Sequence, residues 1–195
     1  MQDKIIKHMK DYADEYNVPI VTDEGIAYIR NFIKHNKIKK ILEIGTAIGY
    51  STILMADVDD DITITSIERD EKRYMEAVNN IKKAHLDKRI NLIFKDALEV
   101  ELDDNYDLIF IDAAKAQNIK FFEKFTPLLN KEGYVITDNM SFHGLVETDE
   151  SKIESRNVRQ LVRKVKKYKE YLEENCRYET KFLEIGDGLA ISEKM

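Results

Sequence analysis

The stretch "EIGTAIGYST" at residues 43–52 follows the apolar run "IKKIL" (38–42) and contains two glycines. An apolar run that stops at a glycine and continues into a helix-forming segment predicts a strand, a tight turn and a helix. In α/β proteins a turn of this kind commonly holds a ligand at the carboxyl end of the strand. The stretch therefore predicts a ligand-binding loop after the first strand of a sheet.

Outward from this loop, apolar runs alternate with segments of helical periodicity. The runs expected to be strands are "KKILEIG" (39–45), "ITITSIE" (62–68), "INLIFKD" (90–96), "YDLIFID" (106–112) and "GYVITDN" (133–139). Strands separated by helices and apolar on both faces predict a parallel sheet covered by helices on both sides. Near the end, "RYETKFLEI" and "LAISEK" flank a short "GDG" turn, which predicts an antiparallel hairpin.

Length and composition fit one globular domain, residues 1–195, with 43% hydrophobic and 35% charged residues. No apolar run is long enough for a signal peptide or a membrane span. The single cysteine, Cys176, excludes an internal disulfide and fits a reducing compartment. We therefore expect a cytoplasmic protein that does not enter a membrane.

The glycine loop spaces its glycines as G-x-x-x-G (Gly45 to Gly49), with Ala47 inside it. A dinucleotide fingerprint instead needs a middle glycine beside the pyrophosphate. S-adenosylmethionine, which has no pyrophosphate, fits this loop better, although the loop could also be a purely structural turn. Glu68 ends the second strand, where a carboxylate can accept hydrogen bonds from ribose hydroxyls, and NAD sites use the same device. Asp96 and Ala97 end the third strand and are expected beside the adenine.

A second polar cluster follows the fourth and fifth strands. The fourth strand ends in Asp112 and the fifth in Asp138 and Asn139. If these strands are neighbours, two carboxylates and an amide oxygen converge, and such oxygen ligands suit a hard cation such as Mg²⁺. The plainer alternative is that Asp138 and Asn139 form a turn.

Lys115 lies three residues after Asp112, in "DAAKAQ". Most lysines are solvated surface residues. A lysine beside a divalent cation could instead act as a base toward a substrate hydroxyl, which would then attack the methyl carbon of the sulfonium. Asp112 and Lys115 are accordingly the candidate catalytic residues.

Several motifs together resemble the cation-dependent O-methyltransferases of the catechol and caffeoyl-CoA type. The motifs are "VPIVTDEG", "LEIGTAIGYST", "SIERD", "FKDAL", "FIDAAK", "TDNMSFHGLV" and "GDGLAISEK". The resemblance implies a Rossmann-like class I methyltransferase fold, with a seven-stranded, mostly parallel sheet and a C-terminal antiparallel hairpin. It implies metal ligation by Asp112, Asp138 and Asn139 and catalysis by Lys115. The cofactor contacts that it implies are Val21, Glu43, Gly45, Ala47, Ser51, Glu68, Asp96, Ala97 and Asp112.

Within this family the chain is most similar to the bacterial subgroup that methylates 5-hydroxyuridine at the wobble position of tRNA. That similarity implies methyl transfer from S-adenosylmethionine to the 5-hydroxyl, giving 5-methoxyuridine, with Mg²⁺ or Mn²⁺ bound. It also implies the tRNA anticodon stem-loop as partner, and relatives of this kind are commonly homodimers.

A basic segment, "RNVRQLVRKVKKYK" (156–169), stands out in a chain whose net charge is −6. An acidic protein with one basic stripe can approach a polyanion from that side. The stripe could equally be the solvated face of a helix that packs on the sheet. The candidate tRNA contacts are Arg156, Arg159, Arg163, Lys164, Lys166 and Lys167.

Other functions stay open at this point. A methyltransferase of small catechols or thioester-linked phenols would share every catalytic residue. An NAD-dependent oxidoreductase and a non-catalytic nucleoside- or RNA-binding protein are further alternatives. Asn118 stands where the family pattern leads us to expect an aromatic residue on the substrate side, and His143 is a further candidate at the substrate entrance.

Overall fold

The computed structural model describes residues 2–141 and 144–195, in which helices and strands alternate through most of the chain. The helices are α1 (Gln2–Tyr16), α2 (Asp23–His35), α3 (Tyr50–Ala56), α4 (Glu71–Lys83), α5 (Asn118–Phe125) and α6 (Arg156–Glu174). The strands are β1 (Lys40–Ile44), β2 (Thr63–Glu68), β3 (Ile90–Phe94), β4 (Tyr106–Ile111), β5 (Leu129–Thr137), β6 (Tyr178–Leu183) and β7 (Leu189–Lys194).

The strands form one seven-stranded sheet in the order β3-β2-β1-β4-β5-β7-β6. The neighbours from β3 to β5 pair in parallel, whereas β7 pairs antiparallel with both β5 and β6. The predicted fold class is confirmed, including the C-terminal hairpin.

Helices cover both faces of the sheet because the central strands are apolar on both faces. In β1, Ile41 packs into the core beneath α1 to α4, and the next residue, Leu42, packs into the core that includes residues of α5 and α6. This alternation is the two-residue period of a strand. Each fully buried Leu or Ile contributes roughly 1.5–3 kcal/mol, so the two cores together stabilise the sheet that carries the functional loops.

Two elements differ from the expectation. Helix α1 was not among the expected elements, although its buried residues Met9 and Ala13 lie four apart, on one face of a helix. The segment "NIKFFEKFTPLL" (118–129) favours a single helix, but α5 ends at Phe125 and the chain continues only as a 3-10 turn, Thr126–Leu128, which contains Pro127. No helix in the described ranges is long and apolar enough to cross a membrane.

The order of the strands brings the functional loops together. Chain order reverses at β1, which lies between β2 and β4, and open α/β sheets bind ligands at such a switch point. In the register, Ile44 pairs with Ile67 and Ile111, and Ile111 pairs with Thr137. The residues that follow these positions therefore meet at one edge of the sheet.

Candidate active site

The loop after β1 requires a glycine at its first position. Gly45 has a φ of +101°, and a Cβ built there would lie 2.2 Å from the carbonyl oxygen of Asp112. Its N–H donates to the carbonyl of Ile67 at 3.0 Å. The loop is therefore pressed between the ends of β2 and β4, and any side chain at Gly45 would force these segments apart.

Glu68 is held by backbone N–H groups on both of its oxygens. Oε2 accepts from Ala47 at 2.8 Å, and Oε1 accepts from Arg69 and Asp70, each at 2.8 Å. The residue is 7% exposed and lines a cleft. This arrangement fixes the carboxylate beside the glycine loop, at the position where a carboxylate can bind a ribose.

Asp96 is fixed in a similar way at the end of β3. Its Oδ1 accepts from the backbone N–H of Leu98 at 2.9 Å, and its Oδ2 lies 3.1 Å from a guanidinium nitrogen of Arg69. The Leu98 N–H and the Arg69 charge hold the pKa of Asp96 below its usual range. Asp96 is therefore an ionised acceptor next to Ala97, and both line the same cleft as Glu68.

The cleft has a volume of about 520 Å³ and runs along the carboxyl edge of the sheet. Eight of the predicted site residues line it, namely Gly45, Ala47, Glu68, Asp96, Ala97, Asp112, Lys115 and Asn139. Val21 is 4% exposed and does not line the cleft, whereas its neighbours Pro19 and Ile20 do. Its contact with the cofactor stays a prediction.

Glu43 and Ser51 lie beneath the loop and do not line the cleft. Glu43 is fully buried and accepts hydrogen bonds from the hydroxyls of Ser51, Thr52 and Ser66, all at 2.5 Å. Burial raises the pKa of Glu43 to about 7, although the three hydroxyls oppose that rise. The assigned contacts of Glu43 and Ser51 with the cofactor stay predictions, and the structure gives both a part in tying α3 and β2 together.

At the other end of the cleft, Asp112 and Asn139 line the wall, and Asp138, which is 5% exposed, meets them without lining the cleft itself. The Asn139 side-chain nitrogen lies 3.1 Å from Oδ2 of Asp138 and 3.5 Å from Oδ1 of Asp112. Strand pairing supports the cluster, because the N–H of Asp112 donates to Ile44 and that of Asp138 donates to Ile111. The expected convergence of these three side chains is therefore present.

The surroundings of the two carboxylates in this cluster disfavour their charged forms. Burial raises the pKa of Asp112, with Asp187 adding to the rise and the charge of Lys115 opposing it. Burial also raises the pKa of Asp138, and the nearby charge of Asp112 adds to that rise. Two neighbouring carboxylates that are shielded from water favour a bound cation or a shared proton between them.

The donor set fits a divalent metal ion of the hard class. Carboxylate and amide oxygens are the ligands that Mg²⁺ and Mn²⁺ prefer, and rotating the Asn139 amide would exchange its nitrogen for its oxygen. Among residues 2–141 and 144–195, no three His, Cys, Asp or Glu side chains form a metal-binding group. The cluster here has two carboxylates and an amide, which leaves positions for water or substrate.

Lys115 begins a 3-10 turn, Lys115–Gln117, directly after the segment that follows β4. It lines the cleft, and its charge opposes the rise in pKa of both Asp112 and Asp138. Lys115 is therefore within electrostatic range of the acidic pair, as its proposed role requires. His143, the candidate at the substrate entrance, lies outside the described residues.

The basic stripe lies on α6, and α6 packs against the turn that carries Lys115. Arg156, Arg163, Lys164 and Lys167 are exposed, whereas Arg159 and Lys166 are half-buried. The guanidinium of Arg159 donates to the backbone carbonyls of Ile153 and Glu154. Arg159 thus has a structural role at the start of the helix, in addition to any contact with a partner.

Some residues of the cleft were not expected. Arg69, Arg73 and Lys95 line the end of the cleft that holds Glu68 and Asp96, called the nucleoside end below. Gln117 and Asp187 line the end that holds Asp112 and Lys115, called the acceptor end. Asp187 lies in the "GDG" turn, whose carbonyl accepts from the N–H and hydroxyl of Ser141. The turn itself was visible in the sequence, but its docking beside Asp112 depends on the pairing of β5 with β7.

A larger groove of about 920 Å³ lies elsewhere, between α2 and strands β5, β7 and β6. None of the acidic cluster, Lys115 or Glu68 lines it. Volume alone would select this groove as the functional site, but the convergence of polar groups selects the smaller cleft.

Comparison with known proteins identifies the family of the chain. The family model described as O-methyltransferase matches residues 3–195. Caffeoyl-CoA O-methyltransferase of Stellaria longipes is 30% identical over 173 residues, which cover 84% of this chain and 71% of that protein. Flavonoid 3',5'-methyltransferase of Vitis vinifera is 30% identical over 194 residues, covering 94% of this chain and 81% of that protein.

Solved structures give the same result. A Staphylococcus aureus protein provisionally named a caffeoyl-CoA O-methyltransferase has a TM-score of 0.92 and 47% identity, covering 97% of this chain and 92% of that one. The O-methyltransferase of Bacillus cereus, solved in complex with SAH, has a TM-score of 0.83 and 25% identity, covering 98% of this chain and 91% of that one.

The family match favours a methyltransferase over the NAD-dependent oxidoreductase that Glu68 had left open. It also fits the G-x-x-x-G spacing, which lacks the middle glycine of a dinucleotide site. The chain belongs to the O-methyltransferase family, and its enzyme class is that of the S-adenosylmethionine-dependent O-methyltransferases.

Proposed function

We propose that this enzyme transfers a methyl group from S-adenosylmethionine to the 5-hydroxyl of 5-hydroxyuridine at the wobble position of tRNA. The observation that carries the proposal is a juxtaposition. The basic helix α6 packs against the turn that carries Lys115, and Lys115 lines the cleft together with Asp112. A cationic surface beside the acceptor end of the cleft suits a substrate that is part of a polyanion.

The nucleoside end of the cleft would bind the cofactor. Glu68 would accept hydrogen bonds from the ribose, and Asp96 and Ala97 would lie beside the adenine. Gly45 and Ala47 bring backbone close to the methionine end, because neither carries a side chain beyond Cβ. These groups are held by the chain's own N–H donors, so the nucleoside would be positioned with little rearrangement.

At the acceptor end, Asp112, Asp138 and Asn139 would hold Mg²⁺ or Mn²⁺. When bound, the cation supplies positive charge that makes a nearby substrate hydroxyl more acidic. In its neutral form the Lys115 amine would take up the hydroxyl proton, and the oxygen would then attack the methyl carbon in line with the sulfur. The carbon–sulfur bond breaks as the oxygen–carbon bond forms, which leaves S-adenosylhomocysteine and the methyl ether.

A 5-hydroxyuracil ring suits this acceptor end chemically. Its 5-hydroxyl neighbours the 4-carbonyl oxygen, so the ring presents two adjacent oxygens, as a catechol does. An unpaired base of the anticodon loop can be turned out of its stack into a protein pocket. Phosphates of the stem would then lie toward the exposed cations of α6, Arg156, Arg163, Lys164 and Lys167.

The test is mass analysis of tRNA nucleosides. Unmodified or hydroxylated tRNA is incubated with the enzyme, S-adenosylmethionine and Mg²⁺, and its nucleosides are separated. We expect 5-methoxyuridine to appear at the expense of 5-hydroxyuridine, only in tRNA that already carries the hydroxyl. Intact 5-hydroxyuridine after complete turnover of a control phenol would contradict the proposal.

A second candidate is methylation of small catechols or thioester-linked phenols. The names of the Stellaria longipes and Staphylococcus aureus relatives favour it, and it would use the same catalytic residues. Competition separates the two: with both substrates present, the tRNA enzyme would label hydroxylated tRNA at concentrations where catechol is barely methylated.

We also propose that two copies associate through the groove between α2 and strands β5, β7 and β6. Its floor includes Phe32 and Tyr134, and its rim carries both cations (Lys34, Lys181) and anions (Glu179, Glu193). A two-fold interface must be self-complementary, and a rim of both signs meets that need.

Lys34→Glu combined with Lys181→Glu would leave a rim of one sign, and we expect light scattering to report a monomer. An unchanged mass would contradict the proposal, and Lys82→Glu with Lys83→Glu on α4 is the matched control.

A further inference from the structure

Three cations line the nucleoside end of the cleft, namely Arg69, Arg73 and Lys95. The guanidinium of Arg69 is paired with Asp96 at 3.1 Å. Within residues 2–141 and 144–195, the side chains of Arg73 and Lys95 make no hydrogen bond and no ion pair. The nucleoside end therefore presents two cations that lack an acidic partner in the described part of the chain.

The cofactor does not account for these two cations. S-adenosylmethionine carries a sulfonium and an ammonium group against a single carboxylate, so its net charge is positive, and it contains no phosphate. Its carboxylate belongs to the methionine end, which the proposed binding mode places at the glycine loop. A cationic ligand gains nothing from further positive charge beside its adenine. Arg73 and Lys95 therefore indicate an anionic ligand other than the cofactor.

An aromatic surface adjoins the two cations. Phe94 ends β3 directly before Lys95, and Tyr74 follows Arg73 on α4. The two rings contact each other, with centroids 5.1 Å apart and planes inclined by 40°. Phe94 is nevertheless 48% exposed. Because β3 is the first strand of the sheet, this surface lies at the edge of the molecule's sheet, where a macromolecule can reach it.

We infer that Phe94, Tyr74, Arg73 and Lys95 form a second RNA contact, which binds an unpaired nucleotide of the anticodon loop other than the wobble nucleotide. The inference rests on the proposed function and adds a partner surface to it. The base would stack on the Phe94 ring, and a neighbouring phosphate would lie against Arg73 and Lys95. Exposed aromatic rings beside cations are a common means of binding single-stranded nucleic acid.

The two ends of the cleft would then bind different parts of one RNA. Bases of a paired stem are stacked on each other, so a protein holds a stem mainly through its phosphates, which the exposed cations of α6 suit. Unpaired loop bases offer their faces to aromatic side chains, which Phe94 suits. The stem would therefore lie toward α6 and the loop across the mouth of the cleft, with the wobble base inserted between the two contacts.

The experiment measures the binding of two labelled RNAs by fluorescence anisotropy, the anticodon stem-loop and its stem alone as a duplex, with S-adenosylhomocysteine present. Phe94→Ala should weaken stem-loop binding about 5- to 100-fold and change stem binding less than about twofold. Phe94→Tyr keeps the ring and should bind both RNAs as the parent does. Tyr16→Ala, which removes another exposed aromatic ring, is the matched control.

The two cations are tested through salt dependence. Arg73→Gln with Lys95→Gln should lower the slope of log affinity for the stem-loop against log salt by about 0.7 for each lost phosphate contact. Lys82→Gln with Lys83→Gln, on the same helix as Arg73, should leave the slope unchanged. Calorimetry should show no loss of affinity for S-adenosylmethionine in Arg73→Gln with Lys95→Gln, and a loss would overturn the assignment of these cations to RNA.

Turnover of the free nucleoside separates this contact from the reaction. With 5-hydroxyuridine alone, which has no neighbouring nucleotide, kcat/KM of Phe94→Ala should stay within about threefold of the parent value. Equal stem-loop affinity in Phe94→Ala and the parent, or an equal loss for the stem alone, would overturn the inference and leave the proposed function intact. A parent enzyme that neither prefers the stem-loop to its stem nor methylates hydroxylated tRNA would overturn both.

Discussion

The two ends of the cleft differ in how their polar groups are satisfied. At the nucleoside end, Glu68 and Asp96 accept hydrogen bonds from backbone N–H groups of their own loops, and Glu68 accepts a further one from the glycine loop at Ala47. At the acceptor end, burial raises the pKa of Asp112 and Asp138, and the oxygen of Gln117 has no partner in the described ranges. At the nucleoside end the carboxylates are satisfied by the chain's own N–H groups, whereas at the acceptor end burial disfavours the charged forms of both carboxylates.

This contrast indicates a division of labour. If the nucleoside end binds the cofactor as proposed, it would bind the same molecule in every cycle, so its geometry can be built into the loops. At the acceptor end, the proposed cation would relieve the unfavourable burial of Asp112 and Asp138 at the proposed place of methyl transfer. Variants at the two ends should therefore fail in different ways.

The largest effect is expected at the acceptor end. Asp138→Ala should lower kcat by at least about 100-fold, because it removes one of two carboxylates from the cluster, while affinity for S-adenosylmethionine stays within about threefold. Turnover assays and cofactor calorimetry measure the two quantities, with Asp87→Ala at an exposed position as control. Undiminished turnover would mean that the cluster does not serve the reaction.

Glu68→Gln should produce the opposite pattern at the nucleoside end. The amide cannot accept from all three N–H groups and loses the charge that favours the ribose. We expect the KM for S-adenosylmethionine to rise roughly 10- to 100-fold and kcat to change little. Glu71→Gln, at an exposed position three residues on, is the control. A fall in kcat with unchanged KM would erase the distinction between the two ends.

The basic helix extends the comparison to the surface beside the acceptor end. Arg163→Glu with Lys167→Glu should weaken tRNA binding about tenfold or more and reduce its dependence on salt, since each lost phosphate contact lowers the slope by about 0.9. Cofactor affinity should not change. Lys82→Glu with Lys83→Glu adds the same charge on α4 and should have little effect. Equal tRNA affinity in both pairs of variants would mean that the basic stripe on α6 does not bind tRNA.

The smallest effect concerns pH. Because the folded-state pKa values of Asp112, Asp138 and Glu43 are raised, to about 6, about 7 and about 7, the folded state holds more protons than the unfolded state between about pH 4 and pH 7. In chelator, the free energy of unfolding should therefore fall as pH rises through that range, and Tm should drop by a few degrees. Mg²⁺ should reduce the drop, and Asp138→Asn should flatten it. Tm values that rise with pH in chelator would contradict the burial argument.

Much of this site could be predicted because its residues follow strands of clear pattern. The apolar run before Gly45 indicated the loop. Because the carboxyl ends of neighbouring parallel strands meet at one edge of the sheet, the sequence also predicted that Asp112 and Asp138 lie close together. Residues that act through long-range packing could not be found this way. Met9 is buried where α1 packs near α4; its spacing from Ala13 fits a helix, but the local sequence does not indicate which surface that helix packs on.

Gln117 and Arg159 illustrate the same limit at the site. "KAQN" reads as an ordinary polar turn, and only the three-dimensional structure reveals that the Gln117 oxygen is buried without a donor. Arg159 belonged to a visible charge pattern, but its bonds to the Ile153 and Glu154 carbonyls depend on how the preceding segment folds back. The charge pattern of the sequence thus indicated the basic stripe on α6, whereas the role of each residue in it depends on packing.

The most direct test of the acceptor end is a count of bound Mn²⁺ by electron paramagnetic resonance, with S-adenosylhomocysteine present. We predict one Mn²⁺ per chain in the parent protein, displaced by Mg²⁺, and a large loss of that binding in Asp138→Ala. Equal Mn²⁺ binding in the two proteins, or none in the parent, would contradict the assignment of Asp112, Asp138 and Asn139 as the metal site.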